Sequence, residues 1–280
     1  MDKSILITGC SSGIGLALAR GLAARGWQVF ASARRAEDVA RLAGEGFPAV
    51  SLDLADSASI AAAVDSVLTR TGGRLTALCN NGAYGQPGAV EDLRREVLRE
   101  QFETNLFGTV ELTNRIIPVM RRQGHGRILQ VSSLLGYVAL PYRGAYTASK
   151  YALEGISDTL RLELAGSGIH VVLIEPGPIE SRFRANAFAA YQRNIDKLHS
   201  AHRERYEAME RRLTKKGPAA PFTLPAEAVL APALRALEAR RPRTRYRVTV
   251  PATLLWYARR WLPDRWLDRL LLGVGRGEAK

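Results

Sequence analysis

Ser4-Ile5-Leu6-Ile7-Thr8-Gly9-Cys10-Ser11-Ser12-Gly13-Ile14-Gly15 is the stretch that decides the fold. Ser4 to Ile7 reads as a short buried strand, and the apolar spacing from about Ile14 to Arg25 reads as a helix. Between them, Gly9, Gly13 and Gly15 make a tight strand-to-helix turn. They let backbone approach a pyrophosphate and let the helix pack closely on the strand. The helix start adds free N–H groups and the positive end of its dipole. Glycines also merely punctuate turns, but here they follow an apolar strand and open a helix, the context that a dinucleotide site requires.

The same unit repeats along the chain. Gln28 to Ser32 is a second strand, followed by Ala33-Arg34-Arg35 with no acid before Glu37. An acid there would hydrogen-bond a ribose 2′-hydroxyl, whereas an arginine accommodates a 2′-phosphate. NADP(H) is therefore favoured, with Arg34 the better candidate and Arg35 the alternate; the bland reading is a pair of exposed arginines opening a helix. Ala49 to Leu52 is strand three, and Asp53 at its end meets an adenine or caps a turn. Ser57 to Thr69 is helical with Ile60, Val64 and Val67 inward. Leu75 to Cys79 is strand four, ending in Asn80-Asn81-Gly82-Ala83-Tyr84-Gly85, where glycines again suit close approach of a ligand. Phe102, Leu106, Val110 and Ile117 then recur at core spacing. Asn105 among them is a polar residue needing partners, and spacing alone reads it as structural. Arg127 to Val131 and Val171 to Ile174 are further strands, the latter ending in Glu175-Pro176-Gly177-Pro178-Ile179-Glu180-Ser181. Alternating strands and helices predict an α/β fold, a doubly wound parallel sheet of about seven strands in three α/β/α layers. Ligands of such sheets bind beyond the C-terminal strand ends, where the glycine loop, Asn81, Ser133 and Pro176-Gly177 all fall.

Ser133 stands at the end of one of those strands, and Tyr146-Thr147-Ala148-Ser149-Lys150 opens the following helix. Ala148, Tyr151, Ala152, Ile156 and Leu160 mark its predicted apolar face. Tyr146 and Lys150, at i and i+4, share a helix face. A free phenol titrates near pH 10, and a fixed ammonium one turn away favours its phenolate. Such a phenol exchanges a proton with a carbonyl or alcohol oxygen, and a serine hydroxyl on the adjoining strand end orients that oxygen.

Composition narrows the class. The chain has 280 residues, enough for one large or two small domains, and no apolar run approaches a transmembrane length. The net charge is +13, and residues 235–269 hold ten arginines against three acids, so the basic excess is a local patch. Cys10 and Cys79 fall in core segments, which suggests reduced thiols in a cytosolic compartment. Ile5-Leu6-Ile7 is too short for the apolar region of a signal peptide.

These motifs together resemble the short-chain dehydrogenase/reductase family, over roughly residues 3 to 185. Thr8, Gly9, Gly13 and Gly15 match its TGxxxGxG loop, and Ser133, Tyr146 and Lys150 match its serine and YxxxK. The resemblance implies a Rossmann-type fold with Asn105 as a fourth catalytic residue, holding a water in the proton relay. It implies Tyr146 as general acid/base, Ser133 polarising the substrate oxygen, and Lys150 binding the nicotinamide ribose while lowering the phenol pKa. The cofactor contacts it implies are Gly9, Ser11, Ser12, Gly13, Ile14, Gly15, Arg34, Asp53, Leu54, Asn81, Gly82, Tyr146, Lys150, Pro176, Gly177, Ile179 and Ser181. Two motifs depart from the pattern. The usual NNAG reads Asn80-Asn81-Gly82-Ala83, and Ser181 replaces the threonine of PGxxxT. The loops at 7–16 and 174–179 look like the branch holding 17β-hydroxysteroid and retinol dehydrogenases. A likeness extending into the C-terminal tail is to bacterial NADP-dependent aldehyde reductases of that branch.

The expected activity is thus reversible NADP(H)-dependent reduction of a hydrophobic aldehyde or ketone. Steroid or retinol oxidation is the enzymatic alternative, and a nucleotide-sensing binding protein the non-catalytic one. The expected organisation is one domain over 1–250, with a helical substrate lid at 186–225, and an amphipathic basic extension over 251–280. Phe188, Tyr191, Ile195, Leu198, Tyr206, Met209 and Leu213 recur at helical spacing as lid residues or as core packing. His199 and His202 have no third ligand nearby, so no metal is expected. Tyr246 to Val250 is an expected seventh strand, after a helix over Ala226 to Ala239. Leu254, Leu255, Ala258, Trp261 and Leu262, then Trp266, Leu267, Leu270 and Leu271, form two apolar stripes opposite Arg259, Arg260, Arg265 and Arg269. Over 251–272 they suit a membrane surface, the protein's own domain or a partner subunit. A homo-oligomer, dimer or tetramer, is expected, with no nucleic-acid partner. The expected location is the cytoplasm, with peripheral contact at the inner membrane surface one of the alternatives left open.

Overall fold

The computed structural model describes residues 3–218 and 220–277. Residues 1, 2, 219 and 278–280, which belong to the expected domain, lid and extension, lie outside the described residues. In chain order the strands are β1 (Ser4–Ile7), β2 (Gln28–Ala33), β3 (Val50–Ser51), β4 (Ala77–Asn80), β5 (Gly126–Val131), β6 (Ile169–Glu175) and β7 (Arg245–Arg247). The helices are α1 (Gly13–Ala23), α2 (Ala36–Gly44), α3 (Ser57–Arg70), α4 (Arg95–Phe102), α5 (Gly108–Gln123) and α6 (Gly144–Glu163), then α7 (Phe183–Asn194), α8 (Arg203–Thr214), α9 (Leu230–Glu238), α10 (Val250–Trp261) and α11 (Asp264–Gly277).

All seven strands pair in parallel, in the order β3-β2-β1-β4-β5-β6-β7. Strand alternation sends Ile5, Ile7, Val29 and Ala31 to one face, where Leu18 and Leu22 of α1 and Leu237 of α9 cover them. Leu6, Phe30, Leu78 and Ile128 point to the other, under Ile60, Val64 and Val67 of α3 and Leu112 and Ile116 of α5. Both faces of the sheet are therefore buried, as a parallel sheet requires. The order in which strands are added reverses between β1 and β4, which opens a crevice at their C-terminal ends.

Several predicted elements differ in detail, each for a local reason. α4 and α5 are joined by a π-helical turn at Glu103–Phe107. The extra residue shifts the helical phase, so Phe102, Val110 and Ile117 are only partly buried, while Leu112, Ile116 and Met120 fill the core. On α6 the apolar face is not the buried one: Ala148, Tyr151 and Ile156 are exposed, and Ala145, Ser149, Lys150, Leu153 and Ser157 face inward. The chain over 186–214 is two helices rather than one run. Asp196 Oδ1 accepts from Leu198 N at 3.2 Å and Ser200 Oγ from His202 N at 2.9 Å, turns that compete with helical bonding. The segment 226–239 begins as a 3-10 turn at Ala226–Val229, because Pro232 lacks the N–H that would extend the α-helix backwards. β7 is shorter than expected: Thr249 Oγ1 accepts from Ala252 N at 3.3 Å, and Pro251 suits the first turn of α10.

Candidate active site

At the C-terminal strand ends lies a cavity of about 960 Å³. Its lining comes from the glycine loop (Gly9, Ser11, Ser12, Gly13, Ile14), the end of β4 (Asn81, Gly82, Ala83), Ser133, Tyr146, Lys150 and the segment after β6 (Pro176, Gly177, Ile179, Ser181). Tertiary structure thus brings together residues up to 172 positions apart in the chain.

The glycines form a cradle that side chains would fill. Gly9 has φ +72°, and a Cβ there would lie 2.8 Å from Gly82 Cα. Gly13 has φ +57°, and its Cβ would meet Ser181 Cβ at 2.7 Å. Ser12 precedes α1 without a side-chain cap, so the first N–H groups of that helix remain available to an anion. Thr8 ties this loop to the next: its Oγ1 accepts from Asn81 N at 2.9 Å and Gly82 N at 2.7 Å. Asn81 Nδ2 returns bonds to the Thr8 carbonyl at 2.9 Å and the Gly9 carbonyl at 3.2 Å. These contacts use backbone at Gly82, whose φ is not left-handed, so the Gly82-Ala83 exchange leaves the turn intact. Cradle, helix start and polar rim fit a dinucleotide.

Ser133, Tyr146 and Lys150 sit beside it. Ser133 lies two residues past β5 in extended backbone, its Oγ accepting from Leu135 N at 3.1 Å, and it shares a hydrogen bond with Tyr146. Lys150 is 3% exposed and its Nζ donates to the Val131 carbonyl at 2.7 Å. Burial pulls the Lys150 pKa down to about 8, with Glu154 acting in the opposite sense. Burial likewise pushes the Tyr146 phenol up to about 12, and the bond with Ser133 opposes this. The Lys150 ammonium lies 5.7 Å from the Tyr146 ring centroid and does not offset that burial.

Asn105 sits in the π-helical turn, fully buried. Its Oδ1 accepts from Tyr84 N at 3.1 Å, and its Nδ2 donates to the Tyr84 carbonyl at 2.9 Å and Ser149 Oγ at 3.1 Å. Ser149 Oγ in turn donates to the Tyr146 carbonyl at 2.8 Å. The side chain therefore clamps backbone behind the site and does not line the cavity.

Arg34, Asp53, Leu54 and Gly15 also lie outside the cavity lining. Gly15 supports it from behind, since a Cβ there would lie 2.3 Å from the Gly9 carbonyl oxygen. Asp53 caps its own turn, its Oδ1 accepting from Ala55 N at 3.0 Å, and Leu54 packs under Gly82. Arg34 is exposed at the end of β2, whereas Arg35 is engaged with Glu37 and Asp38, both at 3.1 Å. Arg41 Nη2, which sequence reading passed over, donates to the Ser11 carbonyl at 2.8 Å and fastens the glycine loop to α2.

Other cavity residues carried no motif. Phe183 stands edge-on to Tyr146 with centroids 5.3 Å apart. Tyr142 lines the cavity with φ +64°, a left-handed conformation rare outside glycine. From α7 and α8, Ala187, Met209 and Leu213 line the cavity, but Tyr191, Ile195 and Tyr206 pack on Ala89, Leu93 and Val97 instead, and Leu198 is exposed. The expected lid residues thus divide between the two readings. His199 is bonded to Asp196, and His202 to Glu91 and Tyr142. Leu272 and Gly275 of α11 complete the wall beside Leu140 and Pro141.

Comparison with known proteins agrees with this geometry. The family model for short chain dehydrogenase matches residues 3–192. An uncharacterized oxidoreductase, YbbO, of Escherichia coli strain K12 is 41% identical, covering 98% of this chain and 95% of its own. The NADPH-dependent 3-dehydrocapnine reductase of Ornithobacterium rhinotracheale is 34% identical over 95% of this chain and 94% of its own. A solved short-chain dehydrogenase from Streptomyces avermitilis superposes with TM-score 0.75 at 29% identity, covering 97% of this chain and 98% of that one. Members of this group are oxidoreductases that bind NAD(P) and act on small molecules. Match, cradle and reacting groups agree: the chain belongs to the short-chain dehydrogenase family.

Proposed function

We propose that the protein is an NADP(H)-dependent reductase of hydrophobic aldehydes or ketones. The observation that carries this reading is the placement of Ser133, Tyr146 and Lys150 against the glycine cradle, inside a cavity walled by Leu135, Leu140, Phe183, Met209 and Leu213. Gly9, Gly13, Asn81 and Lys150 are the residues that would hold the cofactor, which when bound supplies the hydride. Tyr146 is set to act as an acid: with its pKa pushed up to about 12 it stays protonated at neutral pH and delivers that proton to the carbonyl oxygen as negative charge develops there. The Ser133 hydroxyl orients the same oxygen. Lys150, held by the Val131 carbonyl, keeps a positive charge beside the phenol below about pH 8. Arg34 supports the choice of NADP(H), as does the NADPH dependence stated for the 3-dehydrocapnine reductase.

The same reading takes the chain as a homo-oligomer, because α6 leaves Tyr151 and Ile156 exposed beside Leu162. Light scattering on Ile156→Asp tests this, with a lower mass expected.

Reduced-nicotinamide absorbance, followed with NADPH or NADH and a graded series of aliphatic aldehydes, tests the activity. NADPH preference, rates rising with chain length and an inactive Tyr146→Phe variant are expected. NADPH binding without turnover of any aldehyde, steroid or retinoid would instead make the chain a binding protein.

A further inference from the structure

The two C-terminal stripes divide into faces once the helices pack. Leu255 of α10 and Leu267 and Leu271 of α11 are buried against Leu134, Leu135 and Leu140. The opposite residues remain outside. On α10, Val250, Leu254, Tyr257 and Trp261 follow one another at i, i+4, i+7 and i+11, all exposed. Across the turn at Leu262 and Pro263 come Trp266 and Leu270, one helical turn apart and exposed. The two indoles flanking this elbow are 80% and 61% exposed. Burial in this protein's own core explains the inner stripe and leaves the outer one unexplained.

The charge around the outer stripe says what covers it. Arg259 is paired with Asp264 at 3.0 Å and bonds Tyr151, and Arg260 lies over Trp256 at 4.2 Å, so the guanidinium groups next to the outer stripe are those of Arg265 and Arg269. The Arg269 guanidinium lies over its own neighbour Trp266, 5.5 Å from the ring centroid. A second copy seated on this face would bring arginines against arginines. A surface carrying phosphate groups over an apolar interior complements it: indoles sit at the headgroup level, leucines enter the acyl boundary, and arginines meet the anions. No helix among the described residues is long and apolar enough to cross a membrane, so the contact is peripheral.

We propose that the α10–α11 elbow docks the protein on an anionic lipid bilayer and admits bilayer-dissolved carbonyl compounds to the cavity beside it. The docking stands on the surface alone; the admission rests on the carbonyl-reductase reading. Its structural basis is Leu272, which lines the cavity and is 50% exposed, so α11 forms both the membrane-side surface and an edge of the cavity mouth. The substrates that profit are long-chain aldehydes or ketones, which partition into the bilayer and are scarce in water.

Flotation with vesicles of equal parts phosphatidylglycerol and phosphatidylcholine tests the docking without any assay of activity. The wild-type chain should float with them, and Arg265→Glu/Arg269→Glu or Trp261→Ser/Trp266→Ser should bind about tenfold more weakly or worse. Reduction of a short, water-soluble aldehyde by both variants should match wild type, which shows an intact site. Reduction of a long-chain aldehyde supplied in the same vesicles should fall with membrane binding. Failure of the wild-type chain to float, or flotation indifferent to both variants, overturns the docking. A lower solution mass of the tryptophan variant by light scattering overturns it in favour of a second copy. Flotation that is lost while the vesicle-borne aldehyde is still reduced at the wild-type rate overturns the admission step alone. If no aldehyde is reduced at all, the activity reading fails, and the flotation result still decides the docking.

Discussion

Lys150 Nζ donates to the Val131 carbonyl at 2.7 Å, joining the helix that carries Tyr146 to the end of β5, two residues before Ser133. That bond ties together the two elements that carry the Ser133 and Tyr146 hydroxyls. It also holds a charge in a place where water is excluded.

Burial that pulls the Lys150 pKa from 10.5 to about 8 means that its charged form costs folding free energy. Lys150→Met, an apolar replacement of similar length, is expected to abolish turnover yet raise stability by up to about 3 kcal/mol at neutral pH. The unfolded chain holds the lysine proton more tightly. Wild-type stability should therefore gain on the variant as pH rises from about 8 to about 10.5. Chemical denaturation of both proteins across that range checks this, and a parallel pH dependence would refute it.

Arg34 is exposed just past the end of β2 while Arg35 is engaged with Glu37 and Asp38. Arg34→Ala should raise KM for NADPH by about ten- to a hundredfold, the worth of a charged hydrogen bond, and leave KM for NADH nearly unchanged. Arg35→Ala should do less. An equal loss with both cofactors would remove Arg34 from phosphate recognition.

Gly15 has no room for a methyl group: its Cβ would lie 2.3 Å from the Gly9 oxygen and 2.6 Å from Asn81 Nδ2. Gly15→Ala should cost about 1–3 kcal/mol of stability by overpacking and weaken NADPH binding, read from melting temperature and nucleotide fluorescence. Gly26→Ala, where nothing lies within 4 Å, is the control for an effect confined to backbone strain, its φ being +78°.

Glu175, at the end of β6, is fully buried beside Arg245 at 3.0 Å. Burial, then the nearby Glu154, push its pKa from 4.5 to about 7 against the pull of Arg245 and Arg247. The folded chain thus binds its proton more tightly than the unfolded one. Stability relative to Glu175→Gln should fall by up to about 3 kcal/mol as pH rises from about 4.5 through 7. Thermal melts of both proteins over that window measure the difference.

The fold and the pairing of Tyr146 with Lys150 on one helix were legible because each rests on local spacing. Ser4 to Gly15 specifies strand, turn and helix within a dozen positions, and Tyr146 and Lys150 are neighbours on any helix. Which face a helix buries is different. Ala148, Tyr151 and Ile156 form the more apolar face of α6, yet Lys150 and Ser149 point inward because Val131 and Asn105 await them there. The π-helical turn at Glu103–Phe107 had no signature and moved the phase of everything read through it.

Sequence by itself determined the parallel α/β sheet and the glycine cradle, and it singled out Ser133, Tyr146 and Lys150, which line the cavity. These follow from periodicity and from chemistry that few residue types perform. Only tertiary structure decided that Asn105 clamps Tyr84, that Phe183 and Tyr142 wall the cavity, and that Leu267 and Leu271 are covered while Trp261 and Trp266 are not. An amphipathic pattern states that a surface is apolar; what covers it depends on segments distant in the chain, and local spacing does not encode them.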